Sequence, residues 1–284
     1  MAEARKAREH GRAGVPPLAI AHRGGAGLAP ENSLAAIRRA LELGVDGIEL
    51  DVRLSRDGHP MVIHDATVDR TMEGRGRVST MSLAALQALR TRGGTFPTGA
   101  APGAAGGPGG VPTLREGLAL ARGRARLFLD VKTDDGEPHR AIAEKLLGAA
   151  QAAGPDAAVT FLSFDLFCLR RLRELEPAAS LELLASWAFF RAHGRAALHH
   201  LLDEARGLRV EAIGLHQELM TLELLGTLRE AGLAADVWTV NDGPAMRRFA
   251  LMGVNAITTD RPDLLQQVLA ALPAEAAGSP PPSA

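Results

Sequence analysis

Gly47-Ile48-Glu49-Leu50-Asp51-Val52 is the stretch that decides the fold, because it has the pattern of a strand with one apolar and one acidic face. Alternation along a strand places the three apolar side chains on one side and Glu49 and Asp51 on the other. Seven similar apolar runs occur along the chain, separated by helical patterns. The eight runs comprise residues 18–22, 47–52, 126–132, 158–163, 181–185, 212–216, 235–240 and 256–259. Eight strands that alternate with helices predict an α/β fold, a parallel (β/α)8 TIM-type barrel, with a doubly wound open sheet as the alternative.

The overall composition indicates a globular protein without a nucleic-acid surface. Among 284 residues, 32 Lys and Arg stand against 33 Asp and Glu, so the formal net charge of −1 lacks the necessary basic excess. The single cysteine, Cys168, excludes an internal disulfide and a cysteine-based zinc site. No apolar run approaches the roughly 18 residues of a membrane span, and residues 1–12 lack the apolar stretch of a signal peptide. We therefore expect a soluble, cytoplasmic protein.

One main domain with dispensable ends is predicted. Residues 1–16 are expected to be a flexible N-terminal extension, and residues 273–284 a disordered, Pro-rich tail. Between them, residues 17–272 have the length of a (β/α)8 barrel. Within this barrel, residues from about 52 to 111 are interpreted as a small insertion after the second strand. The insertion includes a Gly-rich run over 99–110, and it is either a surface loop or a cover over the barrel mouth.

A hairpin is predicted directly after the second strand. Residues 60–64 form a ninth apolar run, which follows too closely for a parallel crossover of about a dozen residues. Asp57-Gly58 is a two-residue hairpin signal. A turn centred on these two residues would place Asp51 directly opposite His64, on the same face of the hairpin. The hairpin would then extend the second strand and leave eight strands in the barrel.

Carboxylates inside predicted strands are candidate metal ligands, because burying an unpaired charge is costly. Asp130 and Lys132 share one face of the strand over 126–132. Together with Glu49 and Asp51, Asp130 gives three carboxylates at strand ends, an all-oxygen site for a hard cation such as Mg²⁺ or Ca²⁺. The alternative is an ion pair between Asp130 and Lys132, with Glu49 and Asp51 exposed to solvent.

Two histidines are candidate acid and base groups. His22 ends the first predicted strand and His64 ends the hairpin, so both are expected near the carboxylates. Imidazole titrates near neutral pH, and one neutral and one protonated histidine would serve as general base and general acid. His216 also lies at a strand end and is left unassigned. The other histidines are interpreted as surface residues: His10, His59, His139, His193, His199 and His200.

Common nucleotide-binding and nucleophile motifs are absent from the sequence. The glycines at 25 and 27 are followed by Pro30, where a dinucleotide fingerprint requires Gly or Ala. There is no Walker A motif and no Gly-x-Ser-x-Gly elbow, so Ser163 is a poor nucleophile candidate. Asn32 or Ser33 is instead expected to cap the following helix.

The chain resembles the glycerophosphodiester phosphodiesterases in six segments that run in order from residue 21 to residue 262. The segments are Ala21-His22-Arg23-Gly24-Gly25, Pro30-Glu31-Asn32-Ser33, Gly47-Ile48-Glu49-Leu50-Asp51-Val52, Val62-Ile63-His64-Asp65, Trp238-Thr239-Val240-Asn241 and Ile257-Thr258-Thr259-Asp260-Arg261-Pro262. The first four segments are jointly specific, and the last two support them. The resemblance implies a phosphodiesterase barrel with an insertion after the second strand.

The resemblance also implies site residues, which match the family position by position. They are the acid/base pair His22 and His64, the metal ligands Glu49, Asp51 and Asp130, and the substrate contacts Arg23, Glu31, Lys132 and Trp238. Among the substrate contacts, Arg23 and Lys132 match phosphate-binding positions, and Trp238 matches a wall beside the glycerol. The family usually has Glu where this chain has Asp130, so the metal would sit differently or take an extra water. Asp260 is interpreted from its position as a cap for the helix that begins at Arg261-Pro262.

The implied function is metal-dependent hydrolysis of a small-molecule glycerophosphodiester to glycerol 3-phosphate and an alcohol, with Mg²⁺ or Ca²⁺ as cofactor. One histidine would take a proton from the nucleophile and the other would give one to the departing alcohol. Which histidine does which stays open, as does the nucleophile: water, or the glycerol 2-hydroxyl of the substrate through a cyclic phosphate. The alternatives are a lysophospholipase D-like hydrolase of another phosphodiester and a non-catalytic phosphodiester-binding barrel.

Overall fold

The chain folds into a closed eight-stranded parallel barrel surrounded by helices, as a computed structural model shows for residues 15–92, 109–133 and 139–272. The strands run in the order β1-β9-β8-β7-β6-β5-β4-β2, and pairing of β1 with β2 closes the ring, so the open-sheet alternative is wrong. The additional strand, β3, pairs with β2 and lies outside the ring. The strands are Leu18–Ala21 (β1), Gly47–Leu54 (β2), Pro60–Val62 (β3), Arg126–Val131 (β4), Val159–Ser163 (β5), Leu181–Ala185 (β6), Ala212–His216 (β7), Ala234–Trp238 (β8) and Ala256–Thr259 (β9).

Helices follow the barrel strands and cover the outer face of the barrel. The apolar face of β2, formed by Ile48, Leu50 and Val52, is fully buried against them, as the alternating pattern predicts. The described α-helices are Leu34–Leu43 (α1), Leu83–Gln87 (α2), Leu114–Ala121 (α3), His139–Ala153 (α4), Leu166–Leu175 (α5), Trp187–His193 (α6), Ala197–Leu208 (α7), Leu222–Glu230 (α8), Gly243–Met252 (α9) and Pro262–Ala270 (α10). Ser33 is the N-cap of α1, and its hydroxyl accepts a hydrogen bond from the amide of Ala36.

The barrel interior contains a separate apolar layer. Inward-facing side chains of β1, β4, β5, β6 and β9 form this layer, namely Ile20, Phe128, Leu162, Leu184 and Ala256. The carboxylates of β2 and β4 lie beyond the layer, at the carboxyl ends of the strands. The apolar layer thus separates that end of the barrel from the amino ends, as expected for a packed (β/α)8 interior.

The hairpin forms, but its predicted register is wrong by one residue. Val52 pairs with Val62, and the amide of Ile63 donates to the carbonyl oxygen of Asp51 at 3.0 Å, so Asp51 lies opposite Ile63 rather than His64. The turn has three residues instead of two, because the amide of Ser55 donates to the carbonyl of His59. Gly58, with φ of +76°, takes the left-handed position that three-residue hairpin loops require.

The insertion after β3 has a small core of its own. Seven buried apolar residues form it: Met61, Ile63, Val68, Met72, Val78, Leu86 and Val111. The predicted N-terminal extension and tail, and the Gly-rich run up to residue 108, lie outside the described residues apart from positions 15 and 16. Among the residues that are described, no helix is long and apolar enough to cross a membrane.

Gly24 holds the turn after β1 in place, and its substitution is expected to destabilise the fold. Its φ is +81°, and an added Cβ would lie 2.7 Å from the Cβ of Ala36 and 3.0 Å from the carbonyl carbon of Ala36. We expect Gly24→Ala to lower the free energy of unfolding by about 2–4 kcal/mol, measured by urea denaturation. Gly44→Ala is the matched control, since Gly44 also has positive φ but nothing within 4 Å, and it should lose only about 1 kcal/mol. Equal losses would contradict the packing argument.

Candidate active site

Three buried carboxylates meet inside the barrel at the carboxyl ends of β2 and β4. Glu49 and Asp51 share the inner face of β2, and the register pairs Asp51 with Asp130 on β4. One oxygen from each of the three lies within 4.8 Å of the other two. Glu49, Asp51 and Asp130 are 6%, 1% and 6% exposed, so the alternative that placed Glu49 and Asp51 in solvent is wrong.

Two cations and an amide offset part of this negative charge. The ammonium of Lys132 contacts the carboxylate of Asp130 and lies 3.1 Å from Asp51, so the predicted ion pair is present alongside the carboxylate cluster. The Nε of Arg23 lies 3.2 Å from the other oxygen of Asp51. The side-chain amide of Asn32 donates to Asp51 at 2.7 Å and accepts from its backbone amide. Asn32 therefore orients Asp51 instead of capping α1.

Glu49 and Asp130 are the carboxylates that lack sufficient neutralisation. Burial and the charge of Asp51 raise the pKa of Glu49 to about 8. Burial likewise raises the pKa of Asp130 to about 6 despite the opposing effect of Lys132, and its buried Oδ1 has no hydrogen-bond partner among the described residues. Burial also disfavours ionisation of Asp51, but Lys132 and Arg23 outweigh it and lower the pKa of that group. The unpartnered Oδ1 of Asp130 and the unfavourable ionisation of Glu49 and Asp130 fit a bound cation. Three carboxylate oxygen donors suit a hard divalent ion.

His22 is held beside Glu49 by a carboxylate from the opposite end of the chain. Its Nδ1–H donates to Asp260 at 2.7 Å, and its Nε2 lies 3.9 Å from Glu49. Burial opposes protonation of His22, but the hydrogen bond to Asp260 and the charge of Glu49 outweigh it and raise the pKa above 6.5. The interpretation of Asp260 as a helix cap is wrong: the N-cap of α10 is Arg261, and Asp260 is bound to His22 and to the amide of Asn241.

His64 lies on the other side of the carboxylates and has the same kind of partner. Its Nδ1–H donates to Asp65 at 2.7 Å. Burial, with smaller contributions from Arg23 and Lys132, lowers the pKa of His64 below 6.5, although Asp51 and Asp65 act in the opposite direction. The two histidines are therefore biased in opposite directions, toward a protonated His22 and a neutral His64.

Arg70 from the insertion connects the two histidine sides, and the sequence analysis did not identify it. Its guanidinium donates to Glu31 at 2.7 and 2.9 Å and to Asp65 at 2.6 and 3.1 Å. Glu31 in turn accepts from Arg23 at 2.8 Å. A bidentate arginine between two carboxylates fixes both, so the insertion orients His64 through Asp65 and Arg23 through Glu31. The position of Arg70 five residues after Asp65 was the signal in the sequence that could have identified it.

Trp238 is placed near this cluster by an aromatic contact. It ends β8, and its ring packs edge-on against Phe164 at 5.5 Å and against His216 at 5.4 Å. Phe164 in turn lies 5.7 Å from the ammonium of Lys132. The indole Nε1 of Trp238 is buried without a partner among the described residues. His59, His193, His199 and His200 are exposed, as predicted, while the side chains of His10 and His139 lie outside the described part of the chain.

Sequence comparison relates this chain to known phosphodiesterases. A profile described as the glycerophosphoryl diester phosphodiesterase family matches residues 22–264. A glycerophosphodiester phosphodiesterase of Caldanaerobacter subterraneus is 34% identical over 251 residues, covering 87% of this chain and 96% of that protein. A glycerophosphodiester phosphodiesterase of Bacillus subtilis is 30% identical over 261 residues, covering 88% and 86%.

Solved structures share the fold. A phosphodiesterase of Oleispira antarctica, in complex with the product sn-glycerol-3-phosphate, matches with a TM-score of 0.77 and 26% identity, covering 90% of this chain and 98% of that one. A glycerophosphodiester phosphodiesterase of Thermotoga maritima matches with a TM-score of 0.69 and 22% identity, covering 88% and 98%. The second likeness supports the barrel fold alone.

The opposite bias of the two histidines is measurable by NMR titration of metal-free protein. We expect His22 to titrate above pH 6.5 and His64 below it, so that lowering the pH protonates His22 first. Asp260→Asn should lower the pKa of His22, because it removes the hydrogen-bonded negative charge. Asp203→Asn is the control, since Asp203 contacts only exposed groups, including His199 at 3.0 Å, and should leave His22 unchanged. Identical titration of both histidines would contradict the assignment.

Proposed function

Because the chain belongs to the glycerophosphoryl diester phosphodiesterase family and is therefore a hydrolase, we propose that its barrel site hydrolyses glycerophosphodiesters to glycerol 3-phosphate and an alcohol. The observation that carries this proposal is the buried carboxylate cluster of Glu49, Asp51 and Asp130, flanked by His22 and His64. The glycerol 3-phosphate bound to the Oleispira antarctica phosphodiesterase supports the choice of substrate class.

Glu49, Asp51 and Asp130 are the residues that would hold a divalent cation, Mg²⁺ or Ca²⁺. When bound, such a cation supplies positive charge that offsets the charge developing on the phosphoryl oxygens. The orphaned oxygen of Asp130 and the raised pKa of Glu49 support this assignment, because both are relieved by a cation. Asp130 is one methylene shorter than the Glu usual in the family, and the contact of Lys132 with Asp130 fixes its orientation.

Arg23 and Lys132 are proposed to bind the phosphodiester anion. Both cations border the carboxylate cluster and are mostly buried, at 18% and 16% side-chain exposure, so their attraction for an anion is weakly screened. Glu31 is proposed to contribute to substrate binding by holding Arg23, since its oxygens are engaged by Arg23 and Arg70. Preorganised positive charge of this kind lowers the barrier without rearrangement during the reaction.

His22 and His64 are proposed as the proton-transferring groups, acting through Nε2. In each ring the Nδ1–H is bound to a carboxylate, Asp260 or Asp65, which leaves Nε2 for the reacting groups. The lowered pKa of His64 suits a base that takes a proton from the nucleophile, and the raised pKa of His22 suits an acid that gives one to the leaving alcohol.

Water and the 2-hydroxyl of the substrate both remain candidate nucleophiles. Label from ¹⁸O-water in the phosphate of a single turnover would identify direct attack by water.

Trp238 and neighbouring aromatic rings are proposed to contact the organic parts of the substrate. The unpartnered Nε1 of Trp238 offers a hydrogen-bond donor, and its ring offers an apolar wall for the glycerol.

Hydrolysis of lysophospholipids is a second candidate function, because Phe164, Phe167 and Trp187 follow β5 and β6 and are 44%, 68% and 44% exposed. An acyl chain would cover such exposed rings. Because glycerophosphodiesters, unlike lysophospholipids, are water-soluble substrates, we propose that the enzyme acts in the cytoplasm.

The direct test is release of glycerol 3-phosphate from glycerophosphocholine and glycerophosphoethanolamine, followed with a coupled enzyme in EDTA, Mg²⁺ or Ca²⁺. We expect activity only with a metal ion, and a loss of at least about 100-fold in His22→Ala and in His64→Ala. His199→Ala is the control, since His199 is exposed on α7 and should not matter. Activity that survives EDTA or the His22→Ala change would contradict the mechanism. Cleavage of lysophosphatidylcholine alone would favour the second candidate.

A further inference from the structure

The amino ends of the barrel strands surround a cavity, which lies at the opposite end of the barrel from the carboxylate cluster of the proposed active site. Its volume is about 530 Å³, which is within the usual range of small-molecule sites. Phe128 lines this cavity, and on β4 it lies between Arg126 at the cavity and Asp130 at the catalytic end. The apolar layer inside the barrel therefore separates this cavity from the proposed active site.

Two buried carboxylates, Glu182 on β6 and Asp236 on β8, face this cavity and take no part in the proposed reaction. They are 3% and 7% exposed. Gly214 on β7 lies between them and pairs with Asp236. A Cβ on Gly214 would lie 2.3 Å from the Oε1 of Glu182, so this glycine leaves the space into which the Glu182 carboxylate reaches. The two acids thus converge over one residue without a side chain.

Neither carboxylate has a cationic partner among the described residues. The Oδ1 of Asp236 is buried without a hydrogen bond to the described residues, and a bond from the backbone amide of Ala256 is the one contact that favours its ionised form. No described group donates to the carboxylate of Glu182. Burial raises the pKa of Asp236 to about 7, and burial together with the charge of Asp236 raises that of Glu182, so ionising the pair without a cation is costly.

The other acids that line the cavity are already satisfied, which makes the unpartnered pair distinctive. Asp46 accepts from the amide of Ala19 at 2.9 Å. The remaining contacts are Glu211 with the amide of Leu181 and with Arg173, and Asp156 with Arg122. Glu182 and Asp236 are therefore the two buried acids in the described lining of this cavity that lack a cationic partner.

We propose that this cavity binds a small organic cation with N–H donors, an amine or a guanidine, through Glu182 and Asp236. A charged N–H group would supply the hydrogen bonds and the charge that both acids lack. A bare metal ion is a poorer occupant, since the catalytic cluster is the one group of three close metal-ligating side chains found in the described chain. The volume of about 530 Å³ also greatly exceeds a single ion. The ring of Phe128 also lines the cavity. Arg124 and Arg126 line it as well, and Arg126 donates to the hydroxyl of Thr160 at 3.1 Å, so the proposed cation is assigned to the side of Glu182 and Asp236.

Calorimetric titration of the full chain with butane-1,4-diamine tests this proposal. The protein is first saturated with Mg²⁺, so that the catalytic carboxylates are occupied. We expect one diamine to bind per chain, and Glu182→Gln and Asp236→Asn each to weaken binding at least about tenfold, because each keeps the shape and removes a charge. The neutral isostere butane-1,4-diol should not bind. Asp156→Asn on the cavity rim is the matched control and should bind as the unaltered protein does.

Several outcomes would overturn the proposal. They are no binding of butane-1,4-diamine or guanidinium by the folded protein, equal binding in both carboxylate variants, and equal binding of the diol. Loss of binding in Asp51→Asn but not in Asp236→Asn would place the diamine at the catalytic cluster and would also contradict it. Since the titration does not measure hydrolysis, it is independent of the proposed activity. Thermal denaturation of both variants confirms that they are folded.

Discussion

The mutual repulsion of three buried carboxylates is the constraint on which the rest of the active site depends. Glu49, Asp51 and Asp130 lie within 4.8 Å of one another at a place where water cannot screen their charges. Lys132 and Arg23 neutralise Asp51 and part of Asp130, and Glu49 is left with a pKa near 8. A divalent cation would complete the charge balance, and the same buried cations would then attract the proposed anionic phosphodiester to it.

The two histidines have the same kind of hydrogen-bond partner, but their pKa values are shifted in opposite directions. Each donates Nδ1–H to a carboxylate, which fixes the ring and leaves Nε2 for the proposed proton transfer. The hydrogen bond to Asp260 and the nearby charge of Glu49 raise the pKa of His22, whereas burial lowers the pKa of His64. The insertion contributes through Arg70, which ties the partner of His64 to Glu31 and so to Arg23. The segment between β3 and α3 therefore supports the catalytic end of the barrel.

Local patterns in the sequence predicted the barrel and the clustering of the three carboxylates, but they could not predict contacts between distant parts of the chain. Alternation in β2 and β4 placed Glu49, Asp51 and Asp130 on inner faces, because side-chain direction in a strand is set by parity alone. The hairpin register failed because Gly58 belongs to a three-residue turn, which changes the pairing by one position. Asp260 was assigned to its nearest helix, since nothing local indicates a partner 238 positions away.

Anomalous diffraction from crystals grown with Mn²⁺ and glycerol 3-phosphate would test the central claim most directly. The account predicts one strong manganese peak in contact with oxygens of Glu49, Asp51 and Asp130, at about 2.0–2.3 Å, with the phosphate on the same ion. Arg23 and Lys132 would then contact the phosphate. A peak elsewhere, or bound phosphate with no manganese among the three carboxylates, would contradict the account.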